Sequence, residues 1–190
     1  MQRGILTTLL PVRTKTEMAK PKGRGARSDS NLKRVLAIAR ERFGFEKLQF
    51  GQQEAILALL DRRDTLVVQP TGSGKSAIYQ IAGLLIDGPT VVISPLIALQ
   101  KDQMEAIREN ELAEVAVVNS HQPAARVREA FDKLGRNQME YLFLAPEQLH
   151  KPETMAKLEA APPSLFVVDE AHCISEWGHD SGRIICGSAG

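Results

Sequence analysis

TLVVQPTGSGKS, Thr65 to Ser76, sets a short apolar run against a turn that holds two glycines and a lysine. Ile78, Ile81, Leu84 and Leu85 then recur at helical spacing, so the stretch reads as strand, tight turn and helix. Gly72 and Gly74 allow backbone conformations that point N–H groups inward, and the N-terminal end of the next helix carries partial positive charge. Together with Thr71 and Ser73 they form a seat for phosphate oxygens. Lys75 is expected to reach the terminal phosphates of a nucleotide such as ATP, and the Ser76 hydroxyl to hold Mg²⁺. Gln69 stands where the commonest form of this loop has glycine. The alternative, a glycine-rich turn with an incidental lysine, sits poorly with a strand directly before it and an apolar helix directly after.

Outward from this loop the pattern repeats. TVVISP (90–95), VAVVN (115–119), YLFLAP (141–146) and LFVVDE (165–170) are apolar runs that end in polar or proline-containing turns, with helical segments between them. Runs without period-two alternation suit strands buried on both faces, and strand alternating with helix suits a parallel α/β sheet. Ligands in such sheets sit beyond the carboxyl ends of the strands. Asp169 and Glu170 occupy one of those ends. An Asp there can hold Mg²⁺ through water and a neighbouring Glu can orient and deprotonate an attacking water. An isolated acidic pair would more often be merely solvated; its place about one hundred residues after the lysine loop favours the catalytic reading.

Composition bounds the rest. With 190 residues and 43% hydrophobic content, the chain can bury one ordinary core. The net charge of +1 gives no warrant for nucleic-acid binding. Before residue 30, however, Arg3, Arg13, Lys15, Lys20, Lys22, Arg24 and Arg27 face only Glu17 and Asp29, so residues 1–29 read as a basic disordered arm. Order is expected from Ser30, an N-cap for a helix with Leu32, Val35, Leu36, Ala39 and Phe43 on its apolar face and Gly44 at its end. A second helix is expected over Gln53 to Leu60. Cys173 and Cys186 are too few for a disulfide framework, which suits a reducing cytoplasm, and no apolar run has membrane-spanning length. His172, Cys173 and His179 lack a fourth ligand and a familiar spacing for zinc.

The residues around the two motifs resemble the RecQ family of ATP-dependent DNA helicases over about residues 32 to 180. FGFEKLQFGQQEAI (43–56) resembles the adenine-contacting segment of that family, which implies base contacts for Phe45, Gln49 and Gln52; Gln49 stands in place of the family's arginine. SPLIALQKDQ (94–103) and LAPEQL (144–149) resemble its DNA-contacting motifs, which implies DNA contacts for Ser94, Pro95, Lys101, Pro146 and Glu147. DEAHCISEWGHD (169–180) is the most discriminating, and implies roles for His172, Trp177 and His179 in coupling DNA binding to ATP hydrolysis. Alone, Trp177 would read as a core or surface anchor.

The resemblance implies the first RecA-like domain of a 3′-to-5′ helicase serving recombination and repair. Such a protein would work in the bacterial cytoplasm near the nucleoid, or in a nucleus or organelle of a eukaryote. Unwinding in the family also needs a second RecA-like domain, which supplies an arginine finger, so the 190 residues alone are not expected to unwind DNA. The rivals are an RNA helicase domain of the DEAD-box type, whose motifs lack the CISEWGHD extension, and a non-catalytic nucleotide-binding module.

After GHD the family continues with Phe-Arg and, later, a TAT-type strand between the lysine-loop strand and the acidic strand. This chain reads SGRIICGSAG (181–190) instead. Loss of one T from a coding stretch for DFRPDYLRLG yields DSGRIICGSA, so residues 181–190 are expected to be a frameshift product, and the sheet to be open at its middle. Genomic sequence past this point, with a RecQ-like continuation in a neighbouring frame, is the expected outcome; no such continuation would refute the frameshift.

Overall fold

The computed structural model describes residues 4–11, 24–70, 72–95, 107 and 113–170, with the backbone alone described for 4–11 and 24–28. Thr71, Lys101, His172, Trp177, His179 and the tail 181–190 lie outside the described residues. In chain order the elements are β1 (Gly4–Pro11), α1 (Arg24–Phe43), α2 (Gln52–Leu60), β2 (Thr65–Pro70), α3 (Lys75–Leu85), β3 (Thr90–Ile93), β4 (Val115–Val118), α4 (Ala124–Gly135), β5 (Tyr141–Leu144), a 3₁₀ turn (Pro146–His150), α5 (Pro152–Ala160) and β6 (Leu165–Val168).

All five apolar runs are strands. β6, β3, β5 and β4 pair in parallel in that order, as strand-then-helix alternation requires. Their side chains divide between two cores. Val92, Tyr141, Phe143, Leu165 and Val167 pack against α1, α2 and α3. Val91, Ile93, Leu142 and Leu144 pack on the opposite face against Ala130, Phe131 and Leu134 of α4 and Leu158 of α5. Helices on both faces explain why these runs show no polar alternation.

The middle of the sheet is closed, contrary to the expectation of an open slot. β1 lies between β2 and β6 and pairs antiparallel with both. Residues Gly4 to Leu9 register with Pro70 to Thr65, and Thr8 to Pro11 with Val168 to Leu165. Residues 4–11 and 24–29 thus take strand and helix where a disordered arm was expected. ILTTLLP is apolar and β-branched enough to form a strand, and two flanking strands with unpaired ladder groups stabilise it there.

α1 also begins earlier than expected, at Arg24, so Ser30 lies inside the helix and caps nothing. Its buried stripe is Val35 and Ala39 with Ile38 and Phe43 packed alongside, while Leu36 is left 40% exposed. Gly44 ends the helix as expected: with φ +67° it lets its own N–H reach the Arg40 carbonyl and that of Phe45 reach Ala39.

α3 approaches the sheet closely because Gly83 has no side chain. A Cβ there would lie 2.7 Å from Thr90 Oγ1 and 2.8 Å from the Tyr141 ring. The Tyr141 hydroxyl donates to the Gln80 carbonyl, tying β5 to the helix that bears the lysine loop. Gly83→Ala is therefore expected to destabilise by about 1–3 kcal/mol through overpacking, overriding the roughly 1 kcal/mol that alanine adds as a helix former. A lower thermal midpoint checks this. Deleting residues 1–11 strips the ladder partners from β2 and β6, and loss of the cooperative melting transition is expected; unchanged melting would show that β1 contributes nothing.

Candidate functional site

The loop after β2 has the backbone its sequence requires. Gly72 and Gly74 adopt φ +77° and +73°, the left-handed region that turns successive N–H groups to one side. α3 starts at Lys75, so its free N–H groups face the same space. Lys75 is nearly buried and its Nζ donates to the carbonyls of Pro70 (2.9 Å) and Gln69 (3.3 Å), which anchors the cation at the end of β2.

A chain of amides fastens this loop to the segment before α2. Gln52 is buried; its Nε2 donates to the Gly74 carbonyl at 2.9 Å, and its Oε1 accepts from the Gln49 N–H at 2.8 Å. Gln69 donates through Nε2 to the Phe50 carbonyl (2.8 Å), and its Oε1 accepts from the Ser73 hydroxyl (3.2 Å). The glutamine at the variant position thus cross-links the two segments, a task glycine could not perform. Of the three residues implied as base contacts, Gln52 is engaged in the loop, Gln49 is exposed, and Phe45 stacks on Phe43 with centroids 5.7 Å apart and 39% of its surface exposed. Phe50, which the sequence reading passed over, is 96% exposed on the same segment.

The acidic pair sits at the same rim of the sheet. Thr8 faces Leu66 on one side and Val168 on the other, so β6 ends level with Leu66, four residues short of Pro70. Asp169, one residue further on, therefore lies three residues below the level of Pro70, roughly 10 Å at about 3.3 Å per residue. α3 runs back down from the loop at about 1.5 Å per residue, and carries Ser76 and Tyr79 toward the carboxylate. Tyr79 is fully buried and hydrogen-bonded to Ser76, and burial first, then the charge of Asp169, pushes its phenol well above the usual tyrosine range. Sequence reasoning missed Tyr79, because an aromatic on the apolar face of a helix reads as core.

Asp169 and Glu170 are both buried. The Asp169 N–H donates to the Ile93 carbonyl at 2.8 Å, and its Oδ1 accepts from the Glu170 N–H at 3.0 Å. Glu170 has φ +53°, a left-handed conformation that costs a non-glycine residue about 1–2 kcal/mol. Hard oxygen donors such as the Ser76 hydroxyl and the Asp169 carboxylate suit Mg²⁺ better than a softer metal.

Along the same rim, Ser94 is buried after β3 with its N–H on the Leu144 carbonyl (3.1 Å), Pro95 is half-buried, and Pro146 is buried at the start of the 3₁₀ turn. Glu147 is exposed and accepts from the Ser120 hydroxyl at 2.9 Å. Partial burial opposes ionisation of Glu147, yet its own backbone N–H and Ser120 outweigh that and hold its carboxyl below the usual range. Ser120, at the end of β4, is a further residue the sequence reading left without a role. His121 and His150 are exposed, as expected.

Residues 50–185 match the DEAD/DEAH box helicase family. The chain is 41% identical over 138 residues to a Bacillus subtilis protein named "Probable ATP-dependent DNA helicase RecS", covering 73% of this chain and 27% of that protein. It is 40% identical over 150 residues to the ATP-dependent DNA helicase RecQ of Bacillus subtilis, covering 78% and 25%. With the ATP-dependent DNA helicase Q-like 5 of Arabidopsis thaliana it shares 36% identity over 154 residues, 80% of this chain and 16% of the relative. The chain thus spans about a quarter or less of the length of these relatives.

The loop geometry makes Gly74 intolerant of a side chain: a Cβ would meet Gln52 Nε2 at 2.8 Å, on a backbone with φ +73°. Gly74→Ala is expected to weaken binding of inorganic triphosphate about tenfold, the equivalent of ~1–2 kcal/mol of strain, measured by calorimetric titration. Gly72→Ala, with nothing within 4 Å of its Cβ, tests φ alone and is expected to cost less.

Proposed function

Because the chain belongs to the DEAD/DEAH box helicase family, we propose that it forms the first RecA-like, ATP-binding domain of a RecQ-type DNA helicase that couples ATP hydrolysis to strand separation in recombination and repair. The observation that carries this reading is the meeting of two separate sequence motifs. The lysine loop follows β2, the acidic pair follows β6, and Ser76, Tyr79 and Asp169 join them at one rim.

In this reading the triphosphate of ATP lies on the N–H groups of residues 72–76, with Thr71 and Ser73 beside it and Lys75 on the β- and γ-phosphates. Ser76 and Asp169 would hold Mg²⁺, which when bound neutralises charge between the two terminal phosphates. Glu170 orients the attacking water and takes its proton. Its αL backbone turns the residue out of the line of β6. Gln52 acts from beneath the loop, holding Gly74 in place, while Phe45 and Gln49 offer the adenine a ring and an amide.

For DNA, Ser94, Pro95, Pro146 and Glu147 form one track along the ends of β3 and β5, and Lys101 would extend it. His172, Trp177 and His179 follow within ten residues of Asp169 in sequence, the position from which a DNA contact could report to the hydrolytic carboxylate. The arginine finger would come from a second RecA-like domain.

Binding of a fluorescent ATP analogue in the presence of Mg²⁺ tests the reading, and absence of such binding would refute it. Lys75→Ala is expected to weaken that binding at least about tenfold by removing a charge-assisted contact. Glu170→Gln is expected to bind as the parent does and to lose about 10²-fold or more in hydrolysis. Stimulation of turnover by single-stranded DNA above that by RNA of the same sequence is the expected sign of substrate class.

A further inference from the structure

The buried face of α3 is apolar apart from its first turn and one hydroxyl. Ala77, Ile78, Ile81 and Ala82 contribute only carbon to the interior, yet Tyr79, at 0% exposure, brings a phenol oxygen into it. A buried hydroxyl without a partner is destabilising, so phenylalanine would be the cheaper residue if only volume were needed. The partner here is Ser76, one helical turn earlier and on the same face, and the charge of Asp169, at the end of β6, also acts on the phenol. Tyr79 therefore touches one of the two side chains assigned to the cation and feels the charge of the other.

A serine hydroxyl binds a hard cation through a lone pair, and that requires its proton to point elsewhere. On a freely rotating Cβ–Oγ bond this orientation is one of three staggered choices. We propose that Tyr79 is a positioning residue for the divalent cation: its hydroxyl fixes the Ser76 side chain so that Oγ faces the space shared with Asp169. The inference rests on the phosphate-site reading above and adds to it a residue that touches neither nucleotide nor metal.

The test uses the full chain and its Tyr79→Phe variant, which keeps the ring and its packing. Binding of a fluorescent ATP analogue is titrated with Mg²⁺, and in parallel measured in EDTA. Losing one hydrogen bond is expected to raise the Mg²⁺ concentration for half-saturation about fivefold, with metal-free nucleotide affinity unchanged. In a Ser76→Ala background, Tyr79→Phe is expected to add no further shift, since the residue acts through Ser76. Equal Mg²⁺ dependence in the parent and Tyr79→Phe, or full additivity with Ser76→Ala, overturns the inference while leaving the phosphate site standing. Loss of Mg²⁺-dependent binding in the parent chain itself would overturn both.

Discussion

The arrangement of this molecule depends on one requirement, that the backbone polar groups of strands inside a sheet be paired. β2 carries the lysine loop and β6 carries the acidic pair, and neither binds the other directly. β1 stands between them, and its two ladders fix both their separation and their relative height. A parallel strand and an antiparallel one satisfy the same donors and acceptors with different bond slants. The ladder therefore determines where Asp169 falls relative to the loop, and with it which part of α3 the carboxylate meets.

Much of this was legible in the sequence because it is local. Five apolar runs became five strands, Gly44 ended its helix, and Gly72 and Gly74 took the positive φ that a phosphate seat demands. Each of these follows from residues within a few positions of one another. β1 was not legible for the opposite reason. ILTTLLP announces a possible strand, but its partners lie far along the chain, and a basic neighbourhood argued for disorder. The start of α1 was misplaced by a similar conflict, since Ser30 looks like a cap wherever one expects the helix to begin.

The site shows the same division. Lysine, glycines and acidic pair declare themselves by type and spacing, whereas the supporting residues do not. Gln69 looked like a neutral variation and proves to be a cross-link between two segments. Tyr79 and Ser120 each matter through a contact with a residue from another motif or element, and a pattern of letters holds no record of such contacts. Strain is equally silent: nothing in the letters DE foretells that Glu170 alone will turn left-handed while Asp169 does not.

The placement of β1 also has a temporal side. Thr8 and Val168 stand 160 positions apart, and still they are cross-strand neighbours inside the sheet. During synthesis the first of these strands leaves the ribosome well before its second partner does. Through that interval one flank of β1 must wait unpaired, open to any other strand in its vicinity. Closure of so long a loop is slow, so chaperone demand in the cell should track the interval between the birth of these two segments rather than the stability of the finished fold.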